Sequence, residues 1–209
     1  MLNVTEIFTS IDGEINQWHQ GVLSTFVRFS GCNLLCSYCD TSHESYTEYT
    51  IKELTDRITK EGAKKVTLTG GEPLLQKDLR KIIFLLTERR YFISIETNGT
   101  IKPPIDILYL ANWVMDIKLP SSGCIGSILD MDYYRSLPSN VYFKFCIQDM
   151  TDYSAAVQMA KQLEEDHLVA FSPIIKNSKE WPSFLAKKMI EDRLPYVYNL
   201  QIHKYLNVK

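Results

Sequence analysis

The sequence has no long apolar run. Nowhere do about 18 consecutive apolar residues occur, so no segment is suited to cross a bilayer as a helix. An excess of one charge is also missing. The 23 Lys and Arg residues are interspersed with 25 Asp and Glu, and a net charge of −2 offers no basic tract for nucleic acid or an anionic membrane surface. Met1-Leu2-Asn3-Val4-Thr5-Glu6 lacks the basic stretch and apolar core of a secretion signal, so the expected location is cytoplasmic. Internal repeats, low-complexity tracts and long linkers are absent, and 209 residues suit a single domain spanning 1–209. Cysteine is scarce and odd in number. Three of the five fall between positions 32 and 39, which argues against a disulfide framework and fits thiolate ligation of metal in a reducing compartment.

What is present is a recurring short run of β-branched and aromatic residues followed by a polar or helical stretch. The runs 24–29 (STFVRF), 65–69 (KVTLT), 92–96 (FISIE), 113–117 (WVMDI), 141–147 (VYFKFCI) and 167–172 (HLVAFS) predict six buried strands. Between the first two, Thr50-Ile51-Lys52-Glu53 is a capping box, Ile51, Leu54 and Ile58 share a helical face, and Gly62 lies past its end. Leu79, Ile82, Ile83 and Leu86 form a second stripe, and Tyr153, Ala156, Val157, Ala160 and Leu163 a third. Segment 98–112 is short and broken by Pro103 and Pro104, so the outer helical layer is expected to be incomplete. Strands alternating with helices imply an α/β fold around a parallel sheet, with function at the carboxyl ends of the strands.

The unusual residues fall at those ends. Gly31-Cys32-Asn33-Leu34-Leu35-Cys36-Ser37-Tyr38-Cys39-Asp40-Thr41 follows the first predicted strand. Three thiolates in one tight loop suit three corners of an iron–sulfur cube and leave the fourth iron open to a small molecule. A zinc site is the alternative, with His43 as a possible fourth ligand. Thr69-Gly70-Gly71-Glu72-Pro73 follows the second strand; its glycines permit close approach of a ligand to the backbone, and Glu72 suits an ammonium group. Glu96-Thr97-Asn98, Asp116-Ile117-Lys118 and Ser172-Pro173 end later strands, where polar side chains need either a ligand or a loop-capping role.

The cysteine spacing, the aromatic Tyr38 before the last cysteine and the Gly-Gly-Glu-Pro stretch resemble the radical S-adenosylmethionine (SAM) superfamily. That resemblance implies a partial, modified TIM-like barrel, a 4Fe-4S cluster on Cys32, Cys36 and Cys39, and SAM held by Tyr38, Asp40, Gly70, Gly71, Glu72, Asp116, Lys118, Ser172 and Pro173. Residues 8–14 (FTSIDGE), 26–33 (FVRFSGCN), Cys39-Asp40-Thr41 and Leu200-Gln201-Ile202-His203-Lys204 resemble, within it, the 7-carboxy-7-deazaguanine synthase family, over nearly the whole chain. This implies a lyase that contracts 6-carboxy-5,6,7,8-tetrahydropterin with loss of ammonia on the route to queuosine. It also implies Mg2+ on Thr41, a one-electron donor such as flavodoxin or ferredoxin, and a homodimer. The substrate residues implied are Ile11, Asp12, Gly13, Glu14, Arg28, Thr69, Glu96, Asn98, His203 and the Lys209 carboxylate. Arg28 offers a bidentate fork for the substrate carboxylate, and Glu14 accepts from the pterin amino and ring N–H groups. Asp12 stands where the family pattern has Gln. A glycyl-radical activating enzyme, with the same cysteine spacing, and a zinc-binding interaction module remain open. So does an auxiliary cluster, although Cys124 and Cys146 form no second motif and read as ordinary residues, Cys146 within a buried strand.

Overall fold

In the structure, a computed structural model that describes residues 1–15, 20–41, 45–163, 165–175 and 179–208, two-residue alternation along the strands sorts apolar from polar side chains. The chain opens with an antiparallel pair, β1 (Leu2–Ile11) and β2 (Leu23–Phe29), and β3 (Thr47–Tyr49) flanks β1. From β2 onward the strands run parallel through β4 (Lys65–Gly70), β5 (Phe92–Thr97), β6 (Asn112–Asp116), β7 (Val141–Ile147), β8 (Val169–Pro173) and the short β9 (Val197–Tyr198). Their order, β3-β1-β2-β4-β5-β6-β7-β8-β9, is that of an open sheet, a partial barrel that does not close. The six sequence-predicted strands are β2 and β4 to β8.

The helices follow the sequence signals closely. Helix α1 (Ile51–Glu61) starts at Thr50 with both arms of the capping box formed, ends at Gly62 with φ 80°, and buries Leu54 and Ile58. Burial of each such side chain contributes about 1.5 to 3 kcal/mol. Helix α2 (Leu79–Glu88) buries its predicted stripe. The crossover from β5 to β6 holds a single turn, α3 (Ile105–Leu108), and that from β6 to β7 two single 3-10 turns (Pro120–Ser122 and Ile125–Ser127) and the short α4 (Met131–Arg135), so the helical layer is thin there. Helix α5 (Met150–Ala160) is capped by Asp149, whose carboxylate accepts from the Asp152 N–H; α6 (Trp181–Glu191) and α7 (Ile202–Leu206) complete the chain. None of these helices, among the described residues, is long and apolar enough to cross a membrane.

Register explains where the site lies. Val27, Leu68, Ile95, Trp113 and Val141 are aligned across five strands, all fully buried, and form the core beneath the helices. The residues between them face the other way. Arg28 aligns with Thr69, Glu96 with Val114, Asp116 with Lys144, and Cys146 with Ser172. The inner face is therefore polar toward the carboxyl ends, beside a small apolar cluster of Ile15, Val114, Tyr142 and Ala170.

Candidate active site

One cavity of about 560 Å³ opens at the carboxyl ends of β2 and β4 to β8, and all three loop cysteines line it. The cysteine loop is held by specific contacts. Cys32 Sγ accepts from the Leu34 N–H at 3.4 Å and from Asn98 Nδ2 at 3.6 Å, and the Cys39 N–H donates to the Cys36 carbonyl at 3.1 Å. Burial pushes the Cys36 thiol up to about 12, against the pull of the Lys118 ammonium. Among the described residues no three His, Cys, Asp or Glu side chains converge on a single ion. A cube takes each thiolate at a different corner and needs no such convergence, so three free thiols around one cavity, with Lys118 to offset their charge, fit a 4Fe-4S cluster. His43 and Lys209 lie outside the described residues.

The Gly-Gly turn is explained by the fold as much as by a ligand. Gly70, at φ 124°, and Gly71 line the cavity, but a Cβ on Gly70 would collide with the Phe29 backbone, and one on Gly71 with the Gly31 carbonyl. The turn lies flat on the start of the cysteine loop, with the Gly71 N–H donating to Phe29 O at 2.9 Å and the Glu72 N–H to Gly31 O at 2.8 Å. The Glu72 side chain is turned into the protein. Fully buried and absent from the cavity wall, its carboxylate accepts from the Leu74 N–H, the Thr97 hydroxyl and the Asn98 N–H at 3.0, 2.8 and 2.7 Å. Glu72 therefore joins the turn to the end of β5. Asn98 lines the cavity, yet its amide is committed to Cys32 and to Asn33 Oδ1.

Asp12 is likewise buried. It does not reach the cavity. Its Oδ2 forms an ion pair with Lys65 Nζ at 2.6 Å, both side chains 1% exposed, and accepts from Thr67 Oγ1 at 2.9 Å. Oδ1 accepts from the Glu14 N–H at 2.9 Å, so Asp12 sets the backbone of Gly13 and Glu14, which do line the cavity along with Ile11. An acid in place of Gln is thus matched by a lysine buried beneath it.

Glu14, Arg28, Thr41, Thr69, Glu96 and His203 lie around the same cavity. Arg28 Nε donates to Glu6 Oε1 at 2.8 Å, which aims the guanidinium, and Nη1 donates to Thr41 Oγ1 at 3.1 Å. Asp40 carries a carboxylate beside Thr41 and pairs with Lys204 at 3.1 Å; although burial opposes it, Lys204 and Arg28 hold that carboxyl below its usual range. Helix α7 packs against Gly13, where an added Cβ would sit 3.2 Å from His203 Nδ1, so His203 lies over the Glu14 segment. Burial and Lys204 keep the imidazole below its ordinary value. At the end of β6, Asp116 Oδ2 accepts from Lys118 Nζ at 2.9 Å, while Asp116 Oδ1 and Tyr38 Oη are buried with no partner, as polar atoms awaiting a ligand would be. Ser172 and Pro173 complete the wall at the end of β8.

Lys144 was missed by sequence reasoning. Its Nζ donates to Glu14 Oε1 at 2.9 Å, and Asn199 Nδ2, also unforeseen, donates to Oε2 at 3.0 Å. Burial alone works against the charge on Lys144, but Glu14, with Cys146, Asp116 and Glu96, carries its ammonium well above the ordinary lysine value. Glu96 accepts from Thr69 Oγ1 at 2.6 Å, and burial beside Glu14 pushes its carboxyl up to about 7. The signal lay in the strand itself: a lysine within VYFKFCI, two residues before Cys146, belongs to the inner face by parity. By the same parity Cys146 faces the cavity, donating to Asp116 Oδ2 at 3.6 Å, rather than being an ordinary core thiol. Cys124, partly buried in the loop after β6, does not line the cavity.

This geometry agrees with the similarities of the chain to known proteins. Residues 26–115 match the Radical SAM superfamily model. A 7-carboxy-7-deazaguanine synthase of Chlorobaculum tepidum is 34% identical, with 98% of this chain and 94% of the relative covered. One from Clostridium acetobutylicum is 33% identical, at 97% and 95% coverage. The crystal structure of QueE from Escherichia coli superimposes with a TM-score of 0.75 over 96% of this chain and 93% of that one, at 20% identity, which establishes the shared fold. Fold, cysteine loop and near full-length identity together mean that the chain belongs to the 7-carboxy-7-deazaguanine synthase family of radical SAM enzymes.

Proposed function

We propose that the protein is a lyase converting 6-carboxy-5,6,7,8-tetrahydropterin to 7-carboxy-7-deazaguanine with loss of ammonia, in 7-deazapurine and queuosine biosynthesis. The observation that carries this reading is the Arg28–Thr41 contact, which sets a carboxylate fork and a hard oxygen donor side by side beneath the cysteine loop. Cys32, Cys36 and Cys39 would hold the 4Fe-4S cluster, which with SAM would supply the one-electron radical chemistry at the open end of the cavity. Everything else falls to side chains. Arg28, steadied by Glu6, holds the substrate carboxylate. Glu14, held by Lys144 and Asn199, accepts N–H groups of the guanine-like edge, while Glu96, whose carboxyl burial pushes up to about 7, can donate as well as accept. His203 covers the edge opposite the sheet.

Mg2+ belongs on Thr41 Oγ1 in this reading. A cation there would repel Arg28 unless an anion lies between them, and the substrate carboxylate is that anion. Metal and substrate therefore bind together. A flavodoxin or ferredoxin as donor and a pairing of two copies follow from the same family reading. The opposed buried charges of Glu14 and Lys144 in a cavity of about 560 Å³ favour a small charged heterocycle over the glycine loop of a partner protein. The test is anaerobic incubation of reconstituted protein with SAM, dithionite, Mg2+ and 6-carboxytetrahydropterin. A product of deazapurine mass is expected; SAM cleavage with the pterin unchanged would refute the assignment.

A further inference from the structure

The segment between β9 and α7 carries a side chain that meets the site from behind. Asn199 is fully buried and does not line the cavity among the described residues, yet its Nδ2 donates to Glu14 Oε2 at 3.0 Å. The amide is oriented by what surrounds it. Its nitrogen also has Ser172 Oγ at 3.5 Å, and its Oδ1 accepts from Gln20 Nε2 at 3.3 Å. The Asn199 backbone is pinned to β8, its N–H donating to the Phe171 carbonyl at 2.9 Å and its carbonyl accepting from Ser172 Oγ at 3.0 Å. Gln20 Nε2 further donates to the Gly13 carbonyl at 2.6 Å and the Leu200 carbonyl at 2.8 Å. Two amide side chains therefore tie the segment around Glu14 to the strap that leads into α7 and His203.

We propose that Asn199 is a positioning residue that sets selectivity for a substrate edge carrying two adjacent N–H donors, acting through Glu14 and not on the substrate. The proposal rests on the reading of Glu14 as acceptor for the pterin amino and ring N–H groups. Lys144 on Oε1 and Asn199 on Oε2 hold both carboxylate oxygens, so the plane of the carboxylate is set before substrate arrives. Two parallel N–H···O bonds require that plane, whereas a single bond forms over a range of plane angles. Setting the plane in the free protein spares the two-point contact an ordering cost and does little for a one-point contact. Lys144 lines the cavity and can meet the substrate itself; Asn199 acts only from behind the wall, so its removal isolates the positioning effect.

The test uses full-length, cluster-loaded protein under anaerobic conditions without reductant, so that no turnover occurs. Isothermal titration calorimetry compares 6-carboxy-5,6,7,8-tetrahydropterin with its 2-desamino analogue, which keeps the ring N–H and loses the amino donor. Asn199→Val removes the amide donor and should raise the dissociation constant of the pterin about tenfold, and that of the analogue about twofold or less. Gln20→Ala, a change at an exposed residue, should give the same selective loss in smaller measure and carries the test where Asn199→Val does not fold. Equal losses for the two ligands in these variants would mark a merely structural role and overturn the proposal, as would an unchanged affinity for the pterin. A urea cycle over Asn199→Val and Glu14→Gln in cluster-free protein reads the clamp with no pterin present, and strict additivity there would also overturn it. Coupling in that cycle, in a wild-type protein that binds neither ligand, would uphold the clamp and sink the substrate assignment instead.

Discussion

Replacement of Lys144 by Met isolates the buried charge pair at the floor of the site. The lysine and Glu14 side chains are each 9% exposed and 2.9 Å apart, so the substitution strands a carboxylate away from water. Breaking such a pair from one side typically costs 3 to 5 kcal/mol, and because Asn199 still donates to the other carboxylate oxygen, the expected loss is about 3 kcal/mol. In a chain of this size that lowers Tm by about 6 to 12 °C. Pairing the change with Glu14→Gln should recover most of the penalty. Urea denaturation of cluster-free protein at pH 8, followed by far-ultraviolet circular dichroism, measures both. A single variant within about 0.5 kcal/mol of wild type at pH 8, or strict additivity in the double variant, would refute the argument that the pair is coupled and buried.

Glu96 predicts a pH dependence of its own. The folded protein holds its proton up to about 7, whereas an unfolded chain releases it near the ordinary 4.5, so stability should fall as pH rises through that window, by up to about 3 kcal/mol. Glu96→Gln should abolish that slope in urea titrations, and an unchanged slope would assign it elsewhere. Thr41→Ala should keep the cluster but lose most of the stimulation of turnover by added Mg2+; full stimulation would leave Thr41 as a mere loop cap. Replacing Cys32, Cys36 or Cys39 by Ala should abolish iron content and SAM cleavage, while Cys146→Ala retains bound iron by elemental analysis.

The sequence carried the parallel core because its signals there are local. A complete capping box at Thr50, a stripe on α2 and two prolines before α3 each act within one turn of chain. β1 escaped notice because its apolar residues are interrupted by Thr, Glu and Ser, and because an antiparallel partner needs no crossover helix to announce it. β9 and β3 are too short to leave a pattern. For the site, residue type at the strand ends picked out Arg28, Glu14, Glu96 and the loop cysteines, which the structure brings to one cavity. Asp12 and Glu72 could not be told apart from them in the sequence. Both are acids beside the site whose lone pairs are consumed by groups distant in sequence, Lys65 and Thr67 in one case, Thr97 and Asn98 in the other. Their partners emerge only from the register of neighbouring strands.

Anaerobic turnover of 6-carboxytetrahydropterin, run beside the same pterin without its carboxylate and repeated in Arg28→Ala, tests the central claim most directly. The guanidinium is aimed by Glu6 and shares Thr41 with the proposed cation, so loss of either partner of the charge-assisted contact should cost about 2 to 5 kcal/mol in kcat/KM. The account predicts a deazapurine from the carboxylated pterin only, near-complete loss in Arg28→Ala with SAM binding intact, and little further loss when both changes are combined. Equal turnover of the two pterins, or an Arg28→Ala enzyme with wild-type kcat/KM, would contradict it.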